Sequence, residues 1–224
     1  MKILTIGCSL GGVILALFTA NKSGYTHWGR RLLYFTAQSN IWIGLTALVL
    51  LCLPKRKGGK RWERAYVLKY IFTVSITLTG LVFCGLLAPF CGEEYKPWTT
   101  ANLLTHVFAP TFAVLDFFVD EKQPFITKKQ TSLCLIPPLL YSVVASLLCF
   151  YNIDFGRGKN YPYFFLNFRS PAGLFGFSNQ RPFFIGEFYW LALLALFVWG
   201  IAWLYARLYN LFWHKNEKKG EERR

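Results

Sequence analysis

Charge is what this sequence has least of. Only 16% of its 224 residues are Asp, Glu, Lys or Arg, while 54% are apolar; a soluble chain carries roughly a quarter charged residues. Familiar enzyme signatures are missing as well, with no Walker loop, no H-E-x-x-H and no C-x-x-C. The six cysteines (Cys8, Cys52, Cys84, Cys91, Cys134 and Cys149) show no metal-ligand spacing. Most lie in apolar stretches, where a thiol serves as a small hydrophobe. All six are read as free, although Cys91 and Cys149 both lie near the outer face, where a disulfide would be feasible. Neither a metal nor another cofactor is expected. Internal repeats and low-complexity segments are absent, which removes the usual sign of a transporter built from inverted halves.

What charge there is falls between long apolar runs at about 3–21, 32–53, 66–90, 99–119, 132–152 and 184–209. Each reaches the ~20 residues that cross a bilayer core as a helix. The first begins with Lys2 and is long for a signal peptide, so it is kept as a span. The expected fold is all-α: a single polytopic transmembrane domain, 1–224, forming a six-transmembrane-helix bundle. Aromatics make up 19% of the chain, including 8 Trp and 12 Tyr, and many flank the apolar runs, as rings at the headgroup level do. The net charge of +14 would suit nucleic acid, but Lys and Arg sit in membrane-flanking connectors without a reading motif or stacking platform. No nucleic-acid partner is expected; membrane lipids are.

Orientation follows from where the basic residues lie. Lys55-Arg56-Lys57, Lys60-Arg61, Arg64 and Lys69, together with Lys2, Lys122, Lys128, Lys129 and the tail 210–224, fall on one side. That side is the cytoplasm of a cell membrane, with both termini in it. The connectors 22–31, 91–98 and 153–183 then face outward. The last contains Tyr161-Pro162-Tyr163-Phe164-Phe165-Leu166, too apolar for a solvated loop, and is expected to fold back as a lid. Pro137-Pro138 should kink the fifth span.

Polar residues inside a bilayer are costly, which makes each of them suspect of a function. Thr36, Ser39 and Asn40 in the second span stand at i, i+3 and i+4 and share one helical face, with Gln38 pointing elsewhere; Asn102, Thr105 and His106 repeat the pattern in the fourth. Both spans run inward. Thr36 and His106 each lie about 7–11 Å below the outer surface at 1.5 Å per residue, so a hydroxyl and an imidazole can meet, as a nucleophile and its base do. Hydroxyls and amides in membrane helices also serve simply as interhelical glue. This bland reading suits Ser39 and Thr105, while Asn40, Asn102 and Gln38 stand open between packing and a site. Asn40, Asn102, Gln38 and Ser39 are the candidates for binding a substrate or an oxyanion. Asp116 lies about 15 Å deeper than His106 and is expected to pair with Lys69 instead. Asp154 and Glu187 are weak candidates for a third group. His27 and His214 sit at opposite edges, which disfavours a bis-His haem.

Tyr34-Phe35-Thr36-Ala37-Gln38-Ser39-Asn40, Leu104-Thr105-His106 with Pro110 and Asp116, and Tyr161-Pro162-Tyr163 resemble the bacterial branch of the androgen-induced/androgen-dependent membrane protein family. Its eukaryotic members are multi-pass threonine hydrolases that cleave fatty acid esters of hydroxy fatty acids. The resemblance implies an intramembrane lipid hydrolase, with Thr36 as nucleophile, His106 as base and a lipid ester as substrate. The rival readings are a small-molecule or lipid transporter, whose binding site the polar face would be, and a receptor or scaffold without catalysis.

Overall fold

The computed structural model describes residues 1–25, 27–53, 59–90, 96–119, 125–156 and 158–221, with side chains as far as Trp213. Cys91, Lys55-Arg56-Lys57 and Lys122 lie outside the described residues, as does the side chain of His214. The regular structure is helical: α1 (Lys2–Phe18), α2 (Phe35–Cys52), α3 (Lys60–Leu87), α4 (Thr100–Val119), α5 (Lys128–Phe150) and α6 (Glu187–Glu221). Five of them, α2 to α6, are long and apolar enough to cross a membrane, and α1 is a shorter apolar helix of 17 residues. Leu140, Val143 and Leu147 of α5 and Leu196, Phe197 and Trp203 of α6 are exposed. Large side chains bared along whole helices suit a lipid surround.

The helix starts differ from expectation in one consequential place. The second apolar run was expected to be helical from 32, but Trp28–Leu33 is a 3-10 helix and Tyr34 is extended, so α2 begins at Phe35. The reason lies in the carbonyls. A continuous helix would give the Leu32 and Leu33 oxygens to the amides of Thr36 and Ala37. Instead, Gln38 Nε2 donates to Leu32 O at 3.2 Å and the Tyr141 hydroxyl donates to Leu33 O at 3.1 Å. Thr36 is therefore the second residue of its helix. In α5 the double proline does not bend a continuous helix. The chain breaks at Cys134-Leu135 and restarts at Ile136, placing proline in the first turn, where its missing N–H costs nothing.

The most buried helix is α3, flanked by α2, α4 and α6. Its hydroxyls would be orphans among apolar neighbours, and they turn back on their own helix. Thr73 donates to Lys69 O at 2.7 Å, Ser75 to Ile71 O at 3.1 Å and Thr77 to Thr73 O at 2.8 Å. Two glycines let helices close in on α4. A Cβ on Gly80 would lie 2.8 Å from the His106 carbonyl oxygen, and one on Gly12 would lie 2.8 Å from Thr105 Cγ2. Small residues at such crossings replace the hydrophobic drive that helices lack inside a membrane.

At the opposite end of the bundle from that crossing, Asp116 meets Lys69 Nζ at 2.7 Å, as expected, and Lys2 Nζ at 3.9 Å. Lys69 is 1% exposed and also donates to the Asp116 carbonyl at 3.0 Å. Removing one partner of a buried pair strands the other charge, at a cost of about 3–5 kcal/mol. Lys69→Met should therefore lower the thermal midpoint of the purified protein, and Lys69→Met combined with Asp116→Leu should recover most of the loss. A double variant as unstable as the single one would show that the pair is not what the helices rely on.

Candidate active site

Where α2 meets α4, Thr36 Oγ1 lies 3.2 Å from His106 Nε2. The proton positions follow from the far side of the ring. His106 Nδ1 is 3.0 Å from the Asn102 carbonyl oxygen, which can only accept, so Nδ1 carries the hydrogen. Nδ1 also lies 3.0 Å from Thr105 Oγ1, whose own proton goes to Ala101 O at 2.8 Å. Nε2 is thus left as an acceptor, and the Thr36 hydroxyl donates to it. This is the tautomer a general base requires.

The main chain supplies the orienting group because α4 is not a regular helix here. Leu104–Phe108 forms a π turn, closed by the Ala109 amide on Leu104 O. In a regular helix the Asn102 oxygen would belong to the His106 amide; widening the turn opens it to the imidazole. On the other side, the Phe83 ring stacks on His106 with centroids 3.9 Å apart and 25° between planes. An imidazolium formed there would face the negative face of an aromatic ring.

The other predicted polar residues are near the pair but turned to different work. Asn40 is fully buried. Its amide donates to Thr36 O at 2.8 Å and to Thr105 O at 3.1 Å, with Oδ1 left unmatched among the described residues. Two carbonyl acceptors fix which end of the amide faces them and use both its hydrogens, so Asn40 clamps α2 to α4 and has no donor left for an oxyanion. Ser39 shares a hydrogen bond of 2.8 Å with Thr79 and ties α2 to α3. Gln38 holds the Leu32 carbonyl, and Asn102 Nδ2 donates to Pro97 O at 2.8 Å. Glu187 accepts from Ser146 at 2.5 Å, and Asp154 accepts from the Gly156 amide at 2.7 Å; neither of these contacts serves His106.

Thr36 opens onto a half-open cavity. Leu78, Val82, Leu139, Leu191 and Leu194 line it from α3, α5 and α6, and Tyr163, Phe165 and Leu166 line it from the 153–183 segment. Its wall is almost wholly apolar. Tyr163 is the neighbour that residue patterns overlooked. It lines the same cavity as Thr36, and its ring lies against Tyr34, Tyr141 and Phe165. At the start of α2 the amides of Ala37 and Gln38 both go to Tyr34 O. Burial pushes the Tyr163 phenol up to about 12, so it stays neutral near pH 7.

A G-x-S-x-G pattern does occur, at Gly7-Cys8-Ser9-Leu10-Gly11. Ser9 is fully buried within α1 and donates to Thr5 O at 2.6 Å. A nucleophile elbow needs an exposed turn between strand and helix, which a residue inside a helix cannot provide. The five described cysteines are free thiols, and among the described residues no three His, Cys, Asp or Glu side chains come together as a metal site. No family model, curated protein or solved structure matches the chain.

The Asn40 clamp is directly testable. Asn40→Leu keeps the volume but deprives two buried carbonyls of a donor, worth about 1–3 kcal/mol per unsatisfied group. The thermal midpoint should fall, and more than for Gln38→Leu, whose side chain is partly exposed. Equal, small losses would mean that Asn40 does not clamp the helices.

Proposed function

We propose that this protein is a membrane-embedded lipid ester hydrolase with Thr36 as nucleophile and His106 as general base. The observation that carries the reading is the 3.2 Å contact between Thr36 Oγ1 and a His106 Nε2 that must accept, beside a cavity with an apolar wall. All six helices cross the bilayer, with both ends in the cytoplasm, because the basic residues gather on that side. The 153–183 segment is the lid. Phe155, Phe165 and Leu166 are buried, and the Tyr163 ring lies against Tyr34, Tyr141 and Phe165.

In this reading the acyl ester lies with its chain in the cavity and its carbonyl over Thr36. The Thr36 proton passes to His106 Nε2 as Oγ1 attacks the carbonyl carbon. The imidazolium is held by the Asn102 carbonyl and the Phe83 face. It returns the proton to the departing alkoxide, leaving an acyl ester on Thr36. A water then gives its proton to His106 and attacks the same carbon, releasing the fatty acid and restoring Thr36. The family that the Thr36 and His106 segments resemble suggests a fatty acid ester of a hydroxy fatty acid as substrate.

Hydrolysis of p-nitrophenyl octanoate by protein in lipid nanodiscs tests the pair. Thr36→Ala and His106→Ala should each lower kcat at least ~10³-fold, and the double variant little further, since residues acting as one unit are not additive. Thr36→Ser should retain measurable turnover. Full activity in His106→Ala, or equal activity in wild type and Thr36→Ala, would rule the mechanism out.

A further inference from the structure

A substrate has to reach Thr36, and the end of the bundle nearest to it is covered. At the start of α6 the amides of Gly186, Glu187 and Phe188 go to the carbonyls of Gly176 at 2.9 Å, Gly173 at 3.2 Å and Leu174 at 3.1 Å. At the end of α5, Arg169 Nη2 donates to Phe150 O at 3.1 Å and Nη1 to Asn152 Oδ1. Between these bonds Phe155, Phe165 and Leu166 are buried. The 153–183 segment is therefore bonded to the helices on either side of the cavity it covers. We propose that the substrate reaches Thr36 sideways, from the hydrocarbon of the bilayer, through an opening between α5 and α6 at Leu139, and that the cavity takes the acyl chain of a membrane-dissolved lipid. The inference rests on the hydrolase reading and adds to it the route and the class of the substrate.

The two helices are tied at both ends and parted between. At one end Ser146 of α5 donates to Glu187 of α6 at 2.5 Å. At the other, Asn210 of α6 exchanges two hydrogen bonds of 2.9 Å with the main chain of Ile126, just before α5. Between these ties Leu135, Leu139 and Ser142 of α5 and Leu194, Ala195 and Val198 of α6 line the cavity that holds Thr36. Counted inward from the Ser146–Glu187 bond, Leu139 and Leu194 come level on the two helices, ~10 Å deeper at 1.5 Å per residue. That depth falls within the ~30 Å hydrocarbon core of a bilayer. Leu139 belongs to both surfaces, since it lines the cavity and is 42% exposed.

The chemistry of the rim and wall selects the occupant. Around the opening Leu140, Val143, Leu193 and Leu196 are exposed, a surface that acyl chains wet and water does not. Inside, no charged side chain among the described residues lines the cavity. Its hydroxyls away from the catalytic pair are already engaged: Ser142 donates to Pro138 O at 2.8 Å and Thr79 is bonded to Ser39 at 2.8 Å. A polar ligand would lose its water here and gain few hydrogen bonds in return, whereas a hydrocarbon chain gives up nothing in passing from lipid to an apolar wall. An ester at the head of such a chain meets Thr36, where the wall turns polar.

Two measurements in lipid nanodiscs test the route. In the first, a palmitate ester with a diazirine on its chain is photolysed with Thr36→Ala protein, which holds the ester without cleaving it. Mass spectrometry should find adducts on Leu78 and Val198, which line the cavity and are buried from the surrounding lipid, and Leu139→Trp in the same background should remove most of them. In the second, p-nitrophenyl palmitate is hydrolysed by wild type, Leu139→Trp and Leu147→Trp, the last on an exposed position of α5 away from the cavity. Leu139→Trp should lower kcat/KM at least ~10-fold, and Leu147→Trp should match wild type. Should Leu139→Trp lose its thermal transition, Leu194→Trp blocks the opening from α6 and should show the same loss. Thr36-dependent turnover without adducts on Leu78 or Val198, or with equal kcat/KM in the blocked and control variants, overturns this inference alone. Equal turnover in wild type and Thr36→Ala overturns the hydrolase reading and the inference with it.

Discussion

An imidazole set among apolar helices must find partners for both its nitrogens inside the protein, because lipid offers none. Much of the arrangement around α4 follows from that demand on His106. One nitrogen is satisfied by the Asn102 carbonyl, which requires the helix to widen into a π turn. The other is satisfied by a hydroxyl from α2, which requires α2 to come close and to begin where Thr36 can face it. The helix crossings answer the same demand. With Gly80 against the His106 carbonyl and Gly12 against Thr105, both α3 and α1 press on the widened turn, and Asn40 bridges the two backbones that carry the pair.

The abrupt start of α2 sets Thr36 on the wall of a cavity that the 153–183 segment shares. Gln38 and Tyr141 take the carbonyls of Leu32 and Leu33, and the helix cannot extend backwards. Tyr163, Phe165 and Leu166, from the segment between α5 and α6, form part of the apolar cavity wall. In the proposed reaction the cavity would take the acyl chain and the polar edge would hold the ester, a division suited to a substrate that is mostly hydrocarbon with one reactive group.

The apolar runs were legible because hydropathy over twenty residues is a strong signal, and each expected span overlaps a helix. Thr36 and His106 were legible for a related reason: an i, i+3, i+4 polar face in an apolar run has to face protein, and matched depth in two such faces brings them level. Legibility ended where the main chain acts. Nothing in the residues 102–108 announces a π turn, and a backbone carbonyl orienting an imidazole leaves no mark in composition. The start of α2 at 35 depends on hydrogen bonds from Gln38 and from Tyr141, the latter 108 residues away, which local periodicity does not register. Asn40 and Ser39 were visible as polar but not as clamps, since the choice between glue and donor depends on which carbonyl or hydroxyl lies opposite. Tyr163 was visible as part of an apolar loop, and its place on the cavity wall with Thr36 was not.

The central claim is that the Thr36 oxygen is a nucleophile activated by His106, and trapping it covalently tests this most directly. An alkyl fluorophosphonate should lose fluoride and phosphonylate Thr36 Oγ1 in membranes, and mass spectrometry of the digested protein should place the adduct on Thr36. His106→Ala should slow labelling by orders of magnitude, because the hydroxyl then has no base. An adduct on any other residue, or labelling of Thr36 at the same rate without His106, would contradict the account.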